Sequence, residues 1–270
     1  MSDSTVDYLP GGYAYMPGVF QYSCGVAALP GWRIERVRFA APVPLAEGFR
    51  RIEAFLQQRD RPLAALCACE LHSPAPFTED GFKAFNELYV GTLARWGIYR
   101  DGANPVARAN TCPVVAPPPE PGFHAFCFTT AAPGAPHSFV VAGSGEAPEG
   151  KGNYRDHIVA RGDTSSAGLR RKAVWVLDEM ERRMAALGGS WQRATAVQMY
   201  TEHDAYPLLV DELARRGVLR NGLTWQLNRP PVREIDFEMD CRAVHAEQVV
   251  EGREAEPAAP DPATGMPRRA

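Results

Sequence analysis

The strongest constraint in this sequence is that part of it occurs twice. Leu93-Ala94-Arg95-Trp96-Gly97-Ile98-Tyr99-Arg100-Asp101-Gly102 returns as Leu213-Ala214-Arg215-Arg216-Gly217-Val218-Leu219-Arg220-Asn221-Gly222, identical at six of ten positions at a constant offset of 120. Two amphipathic helices share Leu and Ala by chance, but hardly a repeated Arg-x-Gly and a second Arg-x-Gly. The reading is a duplication, so the chain is expected to build one supersecondary pattern twice.

The order of elements agrees. Leu45, Phe49, Ile52 and Phe55 recur near helical spacing, and a strand is expected over 63–71. A helix over about 80–96 and strands near 107–116 and 122–130 follow. In the second half a strand at 138–143 precedes a helix over 166–187, ended by Gly188-Gly189, a residue type that tolerates the left-handed C-terminal turn. A strand at 193–200, a helix at 204–216 and strands at 223–227 and 234–244 complete it. In the last strand Ile235, Phe237, Met239 and Cys241 alternate with Asp236, Glu238, Asp240 and Arg242. The expected fold class is α+β: two tandem units, 1–132 and 137–246, each a mixed β-sheet with two helices on one face. Pro133-Gly134-Ala135-Pro136 reads as their linker, 145–164 as a mobile loop, and 247–270 as a disordered tail.

Composition narrows the function. Lys+Arg 29 against Asp+Glu 32 leaves a net charge of −3, which argues against a nucleic-acid binder. No apolar run approaches the roughly 20 residues of a membrane helix, and the N-terminus lacks a signal-peptide layout, so a cytoplasmic protein is expected. The six cysteines are sparse and read as packed thiols. Cys67-Ala68-Cys69 with His72 nearby has no second ligand pair at zinc spacing, so neither metal nor organic cofactor is implied.

Phe82-Lys83-Ala84-Phe85-Asn86-Glu87-Leu88-Tyr89, followed by Asn104-Pro105-Val106-Ala107-Arg108-Ala109-Asn110-Thr111-Cys112, resembles the second helix and next strand of RidA-like (YjgF-type) enamine/imine deaminases. Phe139-Val140-Val141-Ala142-Gly143-Ser144 is similar to that family's strand ending in Ser-Gly, and Asp236-Phe237-Glu238-Met239-Asp240 to its final strand. The resemblance implies a chorismate-mutase-like fold, a homo-oligomer (a trimer or a multiple of it) and ligand clefts between protomers. It also implies an arginine gripping the substrate carboxylate, at Arg108, and a glutamate near the water, at Glu238. The first half keeps the arginine and Asn86 but has His124 or Ala125 at the glutamate position. The second half keeps Glu238 and the Gly143 loop but lacks the arginine. One composite cleft, within one chain or between chains, is therefore expected.

Hydrolysis of an enamine or imine carboxylate needs a bidentate grip on the carboxylate, a placed water and donors for developing charge. Arg108 is expected to anchor substrate and Glu238 to handle water and protons. Asn86, Cys112, Gly143, Tyr22 and His124 are the further substrate-binding candidates. Without the resemblance, Arg108 reads as an ion-pair residue, Glu238 as solvent-facing and Cys112 as packing. The small-molecule carboxylate expected from the resemblance is a 2-aminomuconate-type acid from aromatic degradation, converted to the 2-oxo or 2-hydroxy acid plus ammonia. Its second carboxylate wants another cation, for which Arg161, Arg170 and Arg229 are candidates. The alternatives are a chorismatase-like enzyme releasing pyruvate from chorismate, and a ligand-binding protein without catalysis.

Overall fold

A computed structural model describes residues 4–251. The chain begins with β1 (Val6–Tyr8), β2 (Tyr13–Met16), β3 (Gly25–Ala28) and the long β4 (Trp32–Pro44), then α1 (Leu45–Gln57), β5 (Leu66–His72), α2 (Glu79–Arg95), β6 (Ala107–Pro113) and β7 (Gly122–Ala131). After β8 (Phe139–Gly145) come α3 (Ser166–Ala186), β9 (Ala196–Tyr200), the short α4 (Tyr206–Leu208), β10 (Thr224–Gln226), β11 (Asn228–Arg229), β12 (Glu238–Ala243) and β13 (Glu247–Val250).

Local chemistry sets the main helices. Thr78 caps α2 by accepting from the Gly81 N–H at 3.1 Å, and Glu79 and Asp80 complement the positive end of the helix dipole. Ser165 caps α3 in the same way, through Gly168. Gly97 and Gly188, both at φ 70°, take the chain out of these helices in the left-handed region. The helix expected over 204–216 is instead one α-turn continued by a π-helical turn, Leu209–Ala214.

Two mixed sheets result: a seven-stranded one ordered β1-β2-β3-β8-β12-β9-β10 and a six-stranded one ordered β11-β6-β5-β7-β4-β13. The expected pair of small RidA-like units is thereby corrected. Each sheet is completed by strands from the other half of the chain. β3 pairs with β8 through Gly25↔Val141, β11 pairs with β6 through Arg229↔Cys112, and β13 runs parallel to β4 from Glu247↔Arg36. The physical reason is edge satisfaction, since β8, β6 and β4 would otherwise present unpaired N–H and C=O rows. The segment from residue 247, expected to be disordered, thus supplies a strand; 252–270 lie outside the described residues.

α1 and α2 cover the six-stranded sheet through Phe49, Tyr89, Phe123 and Phe126, and α3 covers the other through Val176, Met180, Phe237 and Met239. A third cluster takes Tyr13, Val26 and Ala142 from one sheet and Ile34, Ala107 and Cys127 from the other. Its small residues let β6 lie against β8, which brings the strand carrying Arg108 beside the one that pairs with Glu238's strand.

Candidate active site

β6 is buried along nearly its whole length, so its one arginine enters the interior. Arg108 is 2% exposed, and its Nη1 donates to Asn86 Oδ1 at 2.6 Å. Four rings cage the guanidinium: Tyr89 at 5.0 Å, Tyr22 at 5.1 Å, Phe82 at 5.5 Å and Phe85 at 5.8 Å from ring centroid to Cζ. Among the described residues no carboxylate pairs with it, and its buried Nε has no hydrogen-bond partner. Burial pulls its pKa down, yet an arginine stays charged in a protein. A buried cation with ring faces but no counter-anion is a receptor for one.

Glu238 opens β12, opposite Gly145 on β8 and Tyr200 on β9. Its approach is fixed by a buried ion pair: Glu146 accepts from the Asp236 and Phe237 N–H groups and from Lys172 Nζ, and Lys172 reaches Asp236 at 2.9 Å. Glu238 is 5% exposed. Burial first, then the nearby Asp240 and Glu146 carboxylates, hold its pKa well above the usual carboxylate range; Arg108 and Arg183 pull the other way. The register of β8 against β12 shifts here, with Ala142 and Gly143 facing the single residue Asp240. A Cβ on Gly143 would fall inside the Glu238 carboxylate, so the glycine makes room for it.

Arg108, Glu238, Tyr22 and Gly143 line one narrow cleft of about 40 Å³. Sequence reasoning missed three of its polar walls. Asn110, two residues along β6 from Arg108, accepts from Ser73 Oγ at 3.0 Å, while its buried Nδ2 has no partner. Glu149 is held by Arg183 at 3.2 Å and accepts from Cys24 Sγ at 3.4 Å. Tyr154 is placed because Glu79, beyond its part in the α2 cap, also accepts from the Tyr154 and Arg155 N–H groups at 3.1 and 3.0 Å. The strand period points Asn110 the same way as Arg108 and was a usable signal; Glu149 and Tyr154 sit in a loop that no periodicity reads. The lip is Pro231, Val232 and Ile235, drawn onto the first half by hydrogen bonds between Phe77 and residues 231 and 233.

The other candidates lie elsewhere. Asn86 stands behind Arg108, as its acceptor. Cys112 does not line the cleft; burial pushes its thiol up to about 12, which leaves no thiolate near neutrality. His124 stacks on His72 at 4.3 Å outside the cleft, and burial lowers its pKa. Arg161, Arg170 and Arg229 are each occupied, by Glu234, by Asp211 and Glu212, and by Glu202. Among the described residues no group of three or more His, Cys, Asp or Glu could hold a metal, and no helix is long and apolar enough to cross a membrane.

Residues 5–248 match the model of a family described as 2-aminomuconate deaminase CnbZ. The chain belongs to this family. The 2-amino-5-chloromuconate deaminase of Comamonas testosteroni is 50% identical over 253 residues, 93% of this chain and all of that protein. A crystal structure of a chorismatase superposes with a TM-score of 0.49 at 12% identity, over 89% of this chain and 79% of that one.

Proposed function

We propose that this protein is a hydrolytic deaminase of 2-aminomuconate-type acids, using Arg108 as carboxylate anchor and Glu238 as the acid and base. Family membership and 50% identity to a 2-amino-5-chloromuconate deaminase support the reaction class. The single observation that carries the residue assignment is the buried guanidinium without a counter-anion, facing the same cleft as a buried carboxyl group whose pKa is raised by that burial.

The substrate's carboxylate beside the amino-bearing carbon meets Arg108, whose free Nε supplies the unfilled half of a bidentate grip. Bringing that anion in compensates the buried cation, so binding is coupled to the feature that makes the empty site unfavourable. Glu238, resting as the neutral acid, donates its proton to the enamine carbon and converts the enamine to an iminium. The resulting carboxylate accepts a proton from water as the water oxygen bonds to the iminium carbon. The same proton then goes to the nitrogen of the tetrahedral adduct, the C–N bond breaks, and ammonia leaves. Loss of the hydroxyl proton gives the 2-oxo acid and returns Glu238 to its neutral form. One water is consumed, and no electron transfer is needed. Asn110 Nδ2 is placed to donate to charge developing on the substrate.

The test is ammonia release from freshly generated 2-aminomuconate. Wild type is expected to exceed the spontaneous rate, and folded Arg108→Ala and Glu238→Gln variants to fall toward it, each by about 100-fold or more in kcat/KM. Wild-type turnover that survives both substitutions would reject the assignment, and no wild-type turnover would reject the substrate.

A further inference from the structure

Among the described residues the cleft is lined by one cation, Arg108, and by two carboxyl groups, Glu238 and Glu149. The proposed reaction uses the first two and gives Glu149 no part. It also leaves the substrate nitrogen, the atom at which positive charge develops and which finally departs, without an acceptor.

Glu149 is a buried acid with supports built around it. Its side chain is 6% exposed, and Arg183 on α3, 2% exposed, reaches its Oε1 at 3.2 Å. The thiol of Cys24, just before β3, donates to its Oε2 at 3.4 Å. Burial pushes that thiol up to about 12, so it stays a donor. Arg183 makes its shorter contact, 2.8 Å, with Glu179, one turn back along α3. A carboxylate oxygen offers about two acceptor positions, so Oε1 and Oε2 each keep one for a ligand.

Two phenols tie this acid to the reacting end. Tyr22 and Tyr154 line the same cleft, and the Tyr22 ring centroid lies 5.1 Å from Arg108 Cζ. Burial raises both phenols, the Glu149 carboxylate is the next cause for each, and Arg108 pulls both the other way. The Glu149 anion and the anchoring cation thus act on the same two side chains, and Tyr154 feels Glu238 as well.

We propose that Glu149 is the receptor for the substrate nitrogen: it accepts a hydrogen bond from the amino group and stabilises the positive charge gained on the way to the iminium. The inference rests on the deaminase reading and adds a further catalytic residue to it. A 2-amino acid presents a carboxylate and N–H donors side by side, and this cleft offers a cation and an acceptor to meet them. In the enamine the nitrogen is neutral and makes an ordinary hydrogen bond. Once the carbon is protonated the nitrogen is cationic, and the same contact becomes charge-assisted. The gain therefore falls in the transition state, where it raises kcat more than it tightens binding. Glu149 moves no proton; Glu238 keeps that role.

The test is ammonia release from 2-aminomuconate, with kcat, KM and melting temperature determined for wild type, Glu149→Gln and Glu149→Asp. The amide keeps the shape of the side chain and removes its charge. Glu149→Gln is expected to lose about 100-fold in kcat, with KM changed by about threefold at most and melting close to wild type. Glu149→Asp keeps the charge and should recover part of the lost kcat. A kcat in Glu149→Gln within about threefold of wild type would overturn the proposal. So would an aspartate variant no more active than the amide. A loss seen mainly in KM and melting temperature would also overturn it, because Glu149 would then be only a brace between its loop and α3. Turnover lost in Arg108→Ala but intact in Glu149→Gln would sink this inference and leave the deaminase reading standing. Absence of wild-type turnover would reject that reading and this inference with it.

Discussion

At the residue scale the proposed site rests on two ionisable side chains whose charged forms burial disfavours. Arg108 is a cation without an anion, and Glu238 is an acid whose pKa burial raises well above the usual carboxylate range. Replacing Arg108 with Lys keeps the charge but removes the planar fork, so Arg108→Lys is expected to lose about tenfold or more in kcat/KM, most of it in KM. Glu238 also has a stability signature. Its folded pKa is raised above its unfolded value, so its contribution to stability is fully present below about pH 4 and is lost as pH rises through the folded pKa. The Glu238→Gln side chain cannot ionise. The melting temperature of that variant relative to wild type should therefore climb as pH rises above the ordinary glutamate pKa of about 4.5, and a difference independent of pH would contradict the raised pKa. That Arg108 and Glu238 share one cleft was legible, because the resemblance marked both on strands of the right order. The cation's isolation was not legible, since it depends on which rings and acids pack around it.

At the element scale, the β8 irregularity at Ala142–Gly143 and the loop over the cleft do the positioning. Gly143→Ala places a methyl group where the Glu238 carboxylate lies. Activity should drop by about 100-fold or more, with a stability loss of about 1–3 kcal/mol from overpacking, read by denaturant unfolding. An active Gly143→Ala protein would show that Glu238 works from another position. Strand existence was readable from alternation: Phe237, Met239 and Cys241 do face the core, as their period required. Alternation alone would leave Glu238 facing solvent, and here it misleads, because Glu238, Asp240 and Arg242 are buried as well. Tyr200 and Gln198 donate to Asp240, and Glu247 accepts from Arg242. Period two separates the faces of a strand but does not say what covers each face.

At the scale of the whole molecule, the exchange of strands makes the halves interdependent. β13 pairs with β4, and Glu247 accepts from both Arg36, at 3.4 Å, and Arg242, at 2.7 Å. A chain truncated after Ala246 strips β4 of its neighbour and leaves those two buried guanidiniums without this partner. It should melt several degrees below a chain truncated after Glu251, and equal melting temperatures would mean that β13 contributes nothing. This architecture was beyond sequence reading for a physical reason. Hydrophobic period reports that a segment pairs and which face it buries, whereas the identity of its neighbour is set by long-range edge satisfaction. The same long-range pairing brings residues 231–235 to the lip of a cleft whose floor comes from residues 108–110.

The most direct test of the central claim is a crystal structure of the Glu238→Gln protein with 2-aminomuconate bound. The account predicts the carboxylate next to the amino-bearing carbon within hydrogen-bond distance of Arg108 Nε, and the amide that replaces the Glu238 carboxyl lying over the enamine carbon. A substrate carboxylate seated away from Arg108, with Nε still unpartnered, would contradict it.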